Sequence, residues 1–163
     1  MKNEEIIFAV IAIIAGLVTL SFFVWMSIKY PSEKVRGERF VKDEIPILPI
    51  FGIYFKPITI MIISTFVFWA CALESLRKYI MKVPMLIKRL TFIFFSLIVL
   101  VIGYELFWNF SMWTSAHILN PNLPLDSLSH QLNPAMTHPI NFTYATKLST
   151  LYIAISLYSI FFL

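Results

Sequence analysis

Residues 6–28 read IIFAVIAIIAGLVTLSFFVWMSI, a run that contains no charged side chain. An α-helix of about 20 such residues is long enough to cross the roughly 30 Å hydrocarbon core of a bilayer. The whole chain of 163 residues is 59% hydrophobic and 13% charged, whereas a soluble globular domain is about 25% charged. Its mean hydropathy of +0.80 points the same way. The composition therefore excludes soluble, disordered, collagen-like and disulfide-framework proteins, and it predicts an integral membrane protein.

Three further runs are long and apolar enough to form membrane spans. One of them starts at Pro57, and a proline suits the first turn of a helix because the N–H that it lacks would have no partner there. We therefore predict an all-α fold with four transmembrane helices in a single domain, residues 1–163. The predicted spans are about 6–28, 57–76, 90–113 and 143–163.

The segments between the spans differ in charge. Residues 29–44 hold five Lys/Arg and four Asp/Glu, which indicates a solvated stretch, and residues 77–89 hold five Lys/Arg and no acid. Residues 114–142 form a long loop with no Lys or Arg, four prolines and all three histidines. Loops of this length without evident structure are usually functional or held by a partner.

Two local patterns bear on packing. Pro46 and Pro49 exclude a regular helix in IPILPIFGIYF (45–55), and the piece is too short to cross the bilayer. We expect it to lie along the membrane interface or against a neighbouring element. Ala12 and Gly16 are four residues apart, a small-residue spacing that membrane helices use for close contact but that also arises by chance.

The orientation rests on the last loop, because 29–44 and 77–89 lie on opposite sides and carry equal numbers of basic residues. Loop 114–142 lacks basic residues, which suits translocation, and it shares a side with 29–44. We therefore place the N-terminus and 77–89 in the cytoplasm and loop 114–142 outside, in a multi-pass protein of the plasma (cytoplasmic) membrane. The net charge of +4 indicates orientation and lipid head groups rather than nucleic acid.

Tryptophans are expected to mark the two faces of the membrane, where their amphipathic rings settle. In this orientation Trp25, Trp108 and Trp113 form an outer belt, and Trp69 lies toward the inner face.

Ionisable residues inside spans are functional candidates, because burying them in lipid is costly. Glu105 lies about one turn before Trp108 and could face a water pocket, a partner or a metal, but we expect it to reach the head-group region. Glu74 precedes Arg77 and Lys78 by three and four residues, which predicts an ion pair at the end of a helix.

A candidate metal-binding pattern lies in the long loop. Asp126 and His130 are four residues apart in PLDSLSHQLNP (124–134), so a short helix would place a carboxylate and an imidazole on one face, a pair that transition metals accept. His138 follows eight residues later, and His117 lies at the membrane end of the loop. An Asp-x-x-x-His pair with a second, more distant histidine resembles the C subunit of copper membrane monooxygenases, which oxidise methane or ammonia.

The resemblance implies a place in an oxidoreductase complex, for which an archaeal ammonia-oxidising complex is the best-fitting example. The chain departs from the family in that His138 follows sooner than the family's second histidine and the pattern lies in a loop rather than in a membrane helix. Pro134 and Pro139 also interrupt the approach to His138. We therefore expect no catalytic residue, cofactor or metal on this chain.

Other chemical signatures are missing from the sequence. Cys71 is the single cysteine, which excludes an intrachain disulfide and Cys-x-x-Cys chemistry, and the four glycines are scattered singly. The sequence thus favours an accessory, non-catalytic structural subunit of a larger membrane-bound enzyme complex, of the copper membrane monooxygenase or respiratory oxidase type. Its expected partners are other membrane subunits and lipids. Two alternatives stay open: a metal-binding enzyme subunit that uses loop 114–142, and a small transporter or channel component whose path is lined by Glu105 and Lys147.

Overall fold

Four long apolar helices dominate the chain. The structure, a computed structural model, describes residues 3–29, 37–48, 53–122 and 142–163. Within these ranges the helices and strands are α1 (Asn3–Lys29), α2 (Glu38–Lys42), β1 (Ile45–Leu48), β2 (Ile53–Phe55), α3 (Pro57–Ile80), α4 (Met85–Leu119) and α5 (Phe142–Phe162). Helices α1, α3, α4 and α5 are long and apolar enough to cross a membrane. The prediction of an all-α membrane protein with four transmembrane helices is confirmed.

The helices α3 and α4 extend further toward each other than the predicted spans do. Helix α3 continues to Ile80 and α4 begins at Met85, so the predicted connection 77–89 is mostly helical. Basic side chains near a helix C-terminus interact favourably with the helix dipole, and α3 carries Arg77 and Lys78 in its last turn. The helices are therefore longer than the predicted membrane spans, because a helix continues past the charged residues at the end of its apolar run.

Helix α4 is the longest element. Its 35 residues correspond to about 52 Å at 1.5 Å per residue, well beyond the roughly 30 Å hydrocarbon core. Its last turns contain the first residues, 114–119, of the predicted loop 114–142. Helix α4 therefore projects from the membrane on at least one side.

Helices α1 and α3 pack closely through small residues. Ala12 and Ala15 of α1 are buried. A Cβ atom added to Gly16 would lie 3.1 Å from the ring of Phe68 in α3, so the two helices approach each other at this glycine. Small residues let membrane helices approach and gain van der Waals contact. The helix contact indicated by the Ala12 and Gly16 spacing is confirmed.

Hydrogen bonds between side chains join α3 to both of its neighbours. Thr19 Oγ1 of α1 is joined to Ser64 Oγ of α3 by a 2.7 Å hydrogen bond, and Thr65 Oγ1 lies 3.4 Å from the same threonine. On the other side of α3, Trp69 donates its indole N–H to Ser159 Oγ of α5 at 2.9 Å. Trp69, expected as a residue of the inner face, is therefore also an interhelix contact.

Helix α5 lies between α3 and α4 in the bundle. It packs against both, whereas α3 and α4, although consecutive in the chain, make hardly any contact within the described residues. Phe142 at the start of α5 contacts Phe110 near the end of α4 edge-on, with the ring centroids 6.4 Å apart. The lateral order is therefore α1, α3, α5, α4; α3 is antiparallel to α1 and α4 is antiparallel to α5, whereas α3 and α5 are parallel.

The bundle has two ends. At the N-terminal end, α1 and α4 begin and α3 and α5 end; at the hairpin end lie α2 and the two strands. The strands form an antiparallel ladder in which Ile45 is opposite Phe55 and Pro46 is opposite Tyr54. For the described residues 45–48 and 53–55 the expectation of no regular helix is confirmed, and the strand pairing is an addition that the sequence did not suggest.

The described part of segment 29–44 exposes most of its charged side chains and buries a few of its other residues. It contains the short helix α2, which packs against α3 and α5 and buries Val41. Gly37, directly before α2, is buried and has a φ of 79°, a conformation that favours glycine. A Cβ atom at Gly37 would overlap the ring of Tyr144 in α5. The described residues 37–44 therefore agree with a solvated stretch that is held to the bundle by α2; residues 30–36 lie outside the described chain.

Candidate functional site

The residues of the candidate metal pattern lie outside the described chain. Asp126, His130 and His138 belong to 123–141, which the structure does not describe. Among the residues that it does describe, no group of three or more His, Cys, Asp or Glu side chains could hold a metal ion.

His117 is the one histidine that the structure describes. It lies near the end of α4 and is exposed, with its ring stacked on that of Trp113 at a centroid distance of 5.6 Å and an interplanar angle of 13°. The two residues are one helical turn apart, so the stacking is local to α4. This arrangement gives the tip of α4 a flat aromatic and imidazole surface.

Glu105 lies on the outward surface of α4. Its side chain is exposed, like those of its neighbours Val101, Tyr104 and Trp108. At 1.5 Å per residue it stands about 24 Å along the helix from Arg89, so it lies in the outer part of a hydrocarbon core that begins beside Arg89. Its accessible position leaves the side chain free to extend toward the head groups.

Glu74 lies in a polar cluster at the N-terminal end of the bundle. Its Oε2 atom is 3.6 Å from Nη1 of Arg77, which confirms the predicted ion pair with Arg77; no ion pair with Lys78 is found in the described structure. Tyr158 of α5 donates its hydroxyl to Oε1 of Glu74 at 3.1 Å. The guanidinium of Arg77 in turn lies over the ring of Phe162, 5.9 Å from its centroid. The carboxylate of Glu74 therefore ties α3 to α5.

The contact with Tyr158 was missed because it depends on tertiary structure. Glu74 and Arg77 are neighbours on one helix, so their spacing alone predicts a pair. Glu74 and Tyr158 meet only because α3 and α5 are adjacent and parallel, with their last turns at the same end of the bundle. Glu74 is the only acidic residue of α3, and Tyr158 carries a hydroxyl that can donate to it. The sequence would therefore have suggested this hydrogen bond if the packing of α3 against α5 had been known.

A wide cleft opens beside this cluster. It has a volume of about 960 Å³ and lies between the first turns of α1 and the last turns of α3. Glu4, Glu5 and Glu74 line it together with Arg77 and Lys78. Acidic side chains in the first turn of α1 and basic ones in the last turn of α3 each suit the local helix dipole. The mixed charges suit a solvated membrane face, and the cleft carries no chemistry beyond that.

Glu105 and Lys147, the pair in the transporter alternative, lie at the same level of the bundle. The contact between Phe110 and Phe142 aligns α4 and α5, and the two ionisable residues are equally far from it along their antiparallel helices. Glu105 is exposed, whereas Lys147 is partly buried. No ion pair joins Glu105 to Lys147 among the described residues. The structure thus places them side by side without joining them in one path.

No known protein family, characterised protein or solved structure is detectably similar to this chain.

Proposed function

We propose that the chain is an accessory, non-catalytic subunit of a larger membrane-bound enzyme complex. The resemblance of the Asp126 and His130 spacing to copper membrane monooxygenases favours a complex of that type, such as an archaeal ammonia-oxidising complex, with a respiratory oxidase as the other possibility. The observation that carries the proposal is the exposed surface of α4.

Helix α4 is attached to the rest of the chain along one side. It packs against α5, and none of its residues is buried. Lipid accounts for an exposed apolar surface within the hydrocarbon core, because lipid tails are as apolar as the side chains that face them. Lipid does not account for the part of α4 that lies beyond the core.

The tip of α4 carries exposed apolar residues at such a position. If the core begins beside Arg89, its roughly 30 Å end near Phe110, and the helix runs on for about another 13 Å to Leu119. Ile118 and Leu119 are 74% and 87% exposed there. Large apolar side chains grouped outside the hydrocarbon mark interaction surfaces. A partner subunit that covers the tip would remove them from water.

The test is purification from the native membrane in mild detergent, followed by native gels and metal analysis. We expect the chain to elute in a complex of fixed stoichiometry, with the metal or haem on the other subunits. The double variant Ile118→Ser, Leu119→Ser should release the chain from the complex. It should stay in the membrane with an unchanged thermal unfolding temperature, because the tip contributes no buried contact to the bundle.

The matched control is Ile28→Ser on α1, an equally exposed residue (75%) at the same end of the bundle. This variant should remain in the complex. A wild-type chain that purifies alone would contradict the proposal. Metal that stays with the isolated chain would instead favour the metal-binding subunit.

A further inference from the structure

A narrow groove lies between α3 and α4 at the N-terminal end of the bundle. The two helices are joined by the turn 81–84 but diverge, and α5 forms the floor between them. The inter-helix groove, as we term it, has a volume of about 220 Å³. Its walls are mainly apolar and aromatic, and they include Trp69, Leu73, Ile87, Phe95 and Phe162.

The polar groups inside the inter-helix groove are already bonded to the protein. The indole N–H of Trp69 is donated to Ser159, whose hydroxyl is donated to the carbonyl of Ile155 at 2.8 Å. The Thr91 hydroxyl is likewise donated to the carbonyl of Ile87 at 2.8 Å. Water in the groove would find few partners, and ordered water needs two to four of them. The groove therefore suits an apolar occupant.

Basic residues surround the mouth of the inter-helix groove. Lys88 lines it, and Lys88 and Arg89 also line a second apolar cavity of about 360 Å³ on the adjoining face of α4. Neither has an ion-pair partner among the described residues. The acids at this end of the bundle, Glu4, Glu5 and Glu74, line the separate cleft beside α1. Two basic side chains thus lie beside an apolar slot at the N-terminal end of the bundle.

We propose that the inter-helix groove binds an anionic phospholipid. One acyl chain lies between α3 and α4, and the phosphate lies against Lys88 and Arg89. Basic pockets between transmembrane helices bind anionic head groups in this way. A partner helix is a poorer occupant, because a helix with its side chains is about 10–12 Å wide and the groove is only about 220 Å³.

Trp69 lies in the groove wall and provides a probe for the acyl chain. The full chain with Trp25, Trp108 and Trp113 replaced by Phe retains Trp69 as its only tryptophan. It is reconstituted in nanodiscs of phosphatidylcholine that contain increasing fractions of brominated phosphatidylglycerol or, in a parallel series, brominated phosphatidylcholine. Bromine on an acyl chain quenches tryptophan fluorescence only at contact. We expect half-maximal quenching at a roughly 30-fold lower fraction of brominated phosphatidylglycerol than of brominated phosphatidylcholine. The reason is that each of the two basic residues increases the affinity for an anionic lipid about fivefold.

Three variants in the same background make the test specific. Lys88→Gln with Arg89→Gln should abolish the preference for the anionic lipid. The control is Lys78→Gln, which removes one positive charge at the same end of the bundle; Lys78 lines the cleft beside α1, so the preference should remain. Thr91→Phe fills the groove and should reduce quenching by both lipids. Equal quenching by both lipids in the parent protein, or a preference that survives the Lys88 and Arg89 changes, would overturn the proposal. Thermal unfolding of each variant separates loss of the site from loss of the bundle.

Discussion

At the scale of single residues, Glu105 poses the sharpest question about charge in the membrane. A charged side chain at the bilayer centre costs about 2.5–3.5 kcal/mol, and the cost falls toward the interface. The structure places Glu105 on the outward surface of α4, about one turn from Trp108, with its side chain exposed. These positions agree with a carboxylate that extends to the head groups rather than one that is buried and paired.

We therefore expect Glu105→Gln to change the free energy of unfolding by less than about 0.5 kcal/mol and to leave the assembled complex intact. Glu74→Gln is the matched control, because it makes the same chemical change at a carboxylate that is bonded to Arg77 and Tyr158. It should cost about 1–3 kcal/mol. Unfolding in detergent and native gels measure both variants. If Glu105→Gln caused the complex to dissociate, the carboxylate would have to form an ion pair with a partner subunit. Removing one member of a buried ion pair leaves the other charge unpaired and costs about 3–5 kcal/mol.

The same two glutamates show what the sequence can predict at this scale. The ion pair between Glu74 and Arg77 follows from helical spacing and is confirmed. The exposed position of Glu105 does not follow from spacing, because it depends on which face of α4 meets α5. The bond from Tyr158 to Glu74 also depends on which helices are neighbours.

At the scale of elements, small residues of α1 allow its close contact with α3. Gly16→Val would place side-chain atoms against the Phe68 ring, where even a Cβ atom would lie 3.1 Å away. Overpacking of this kind typically costs about 1–3 kcal/mol. We expect the unfolding temperature in detergent to fall accordingly and the hydrogen bond between Thr19 and Ser64, at 2.7 Å, to weaken.

Gly103 on α4 provides the control for this prediction. A Cβ atom there would meet nothing within 4 Å. Gly103→Val should therefore leave the unfolding temperature unchanged or raise it slightly, since glycine is a poor helix former. Equal destabilisation by both substitutions would show that the contact with Phe68 does not cause the effect at Gly16.

The sequence predicted the presence of the long helices more successfully than the residues at which they end or the pairing of the two strands. The apolar runs are sufficient to locate all four membrane helices, because the bilayer requires length and apolarity and little else. The exclusion of a helix at Pro46 is confirmed, because the described residues 45–48 form a strand. The ladder between Ile45 and Phe55 was not predicted, since strand pairing depends on which segments meet in space and not on local composition.

At the scale of the whole molecule, the lateral order of the helices is the main feature that the sequence does not predict. Apolar helices pack by shape and by a few hydrogen bonds between polar side chains, so hydropathy alone does not determine which helices are neighbours. Here the bonds from Thr19 to Ser64 and from Trp69 to Ser159 place α3 between α1 and α5. This order keeps α4 at the edge of the bundle. It thereby creates both the exposed surface assigned to a partner and the inter-helix groove assigned to a lipid.

The four long helices alternate in direction along the chain, which makes the orientation testable with two exposed positions. Lys82 lies in the turn at the N-terminal end of the bundle, and Asn120 follows α4 at the hairpin end. In a Cys71→Ala background, Asn120→Cys should react with an impermeant thiol reagent added to intact cells, and Lys82→Cys should react only after the membrane is opened. The reason is that the uncharged loop 114–142 is the segment best suited to translocation. A partner over the tip of α4 would shield Asn120, so labelling is repeated after mild detergent dissociation. Labelling of Lys82→Cys in intact cells, with Asn120→Cys protected until the membrane is opened, would reverse the orientation and place the basic mouth of the inter-helix groove outside.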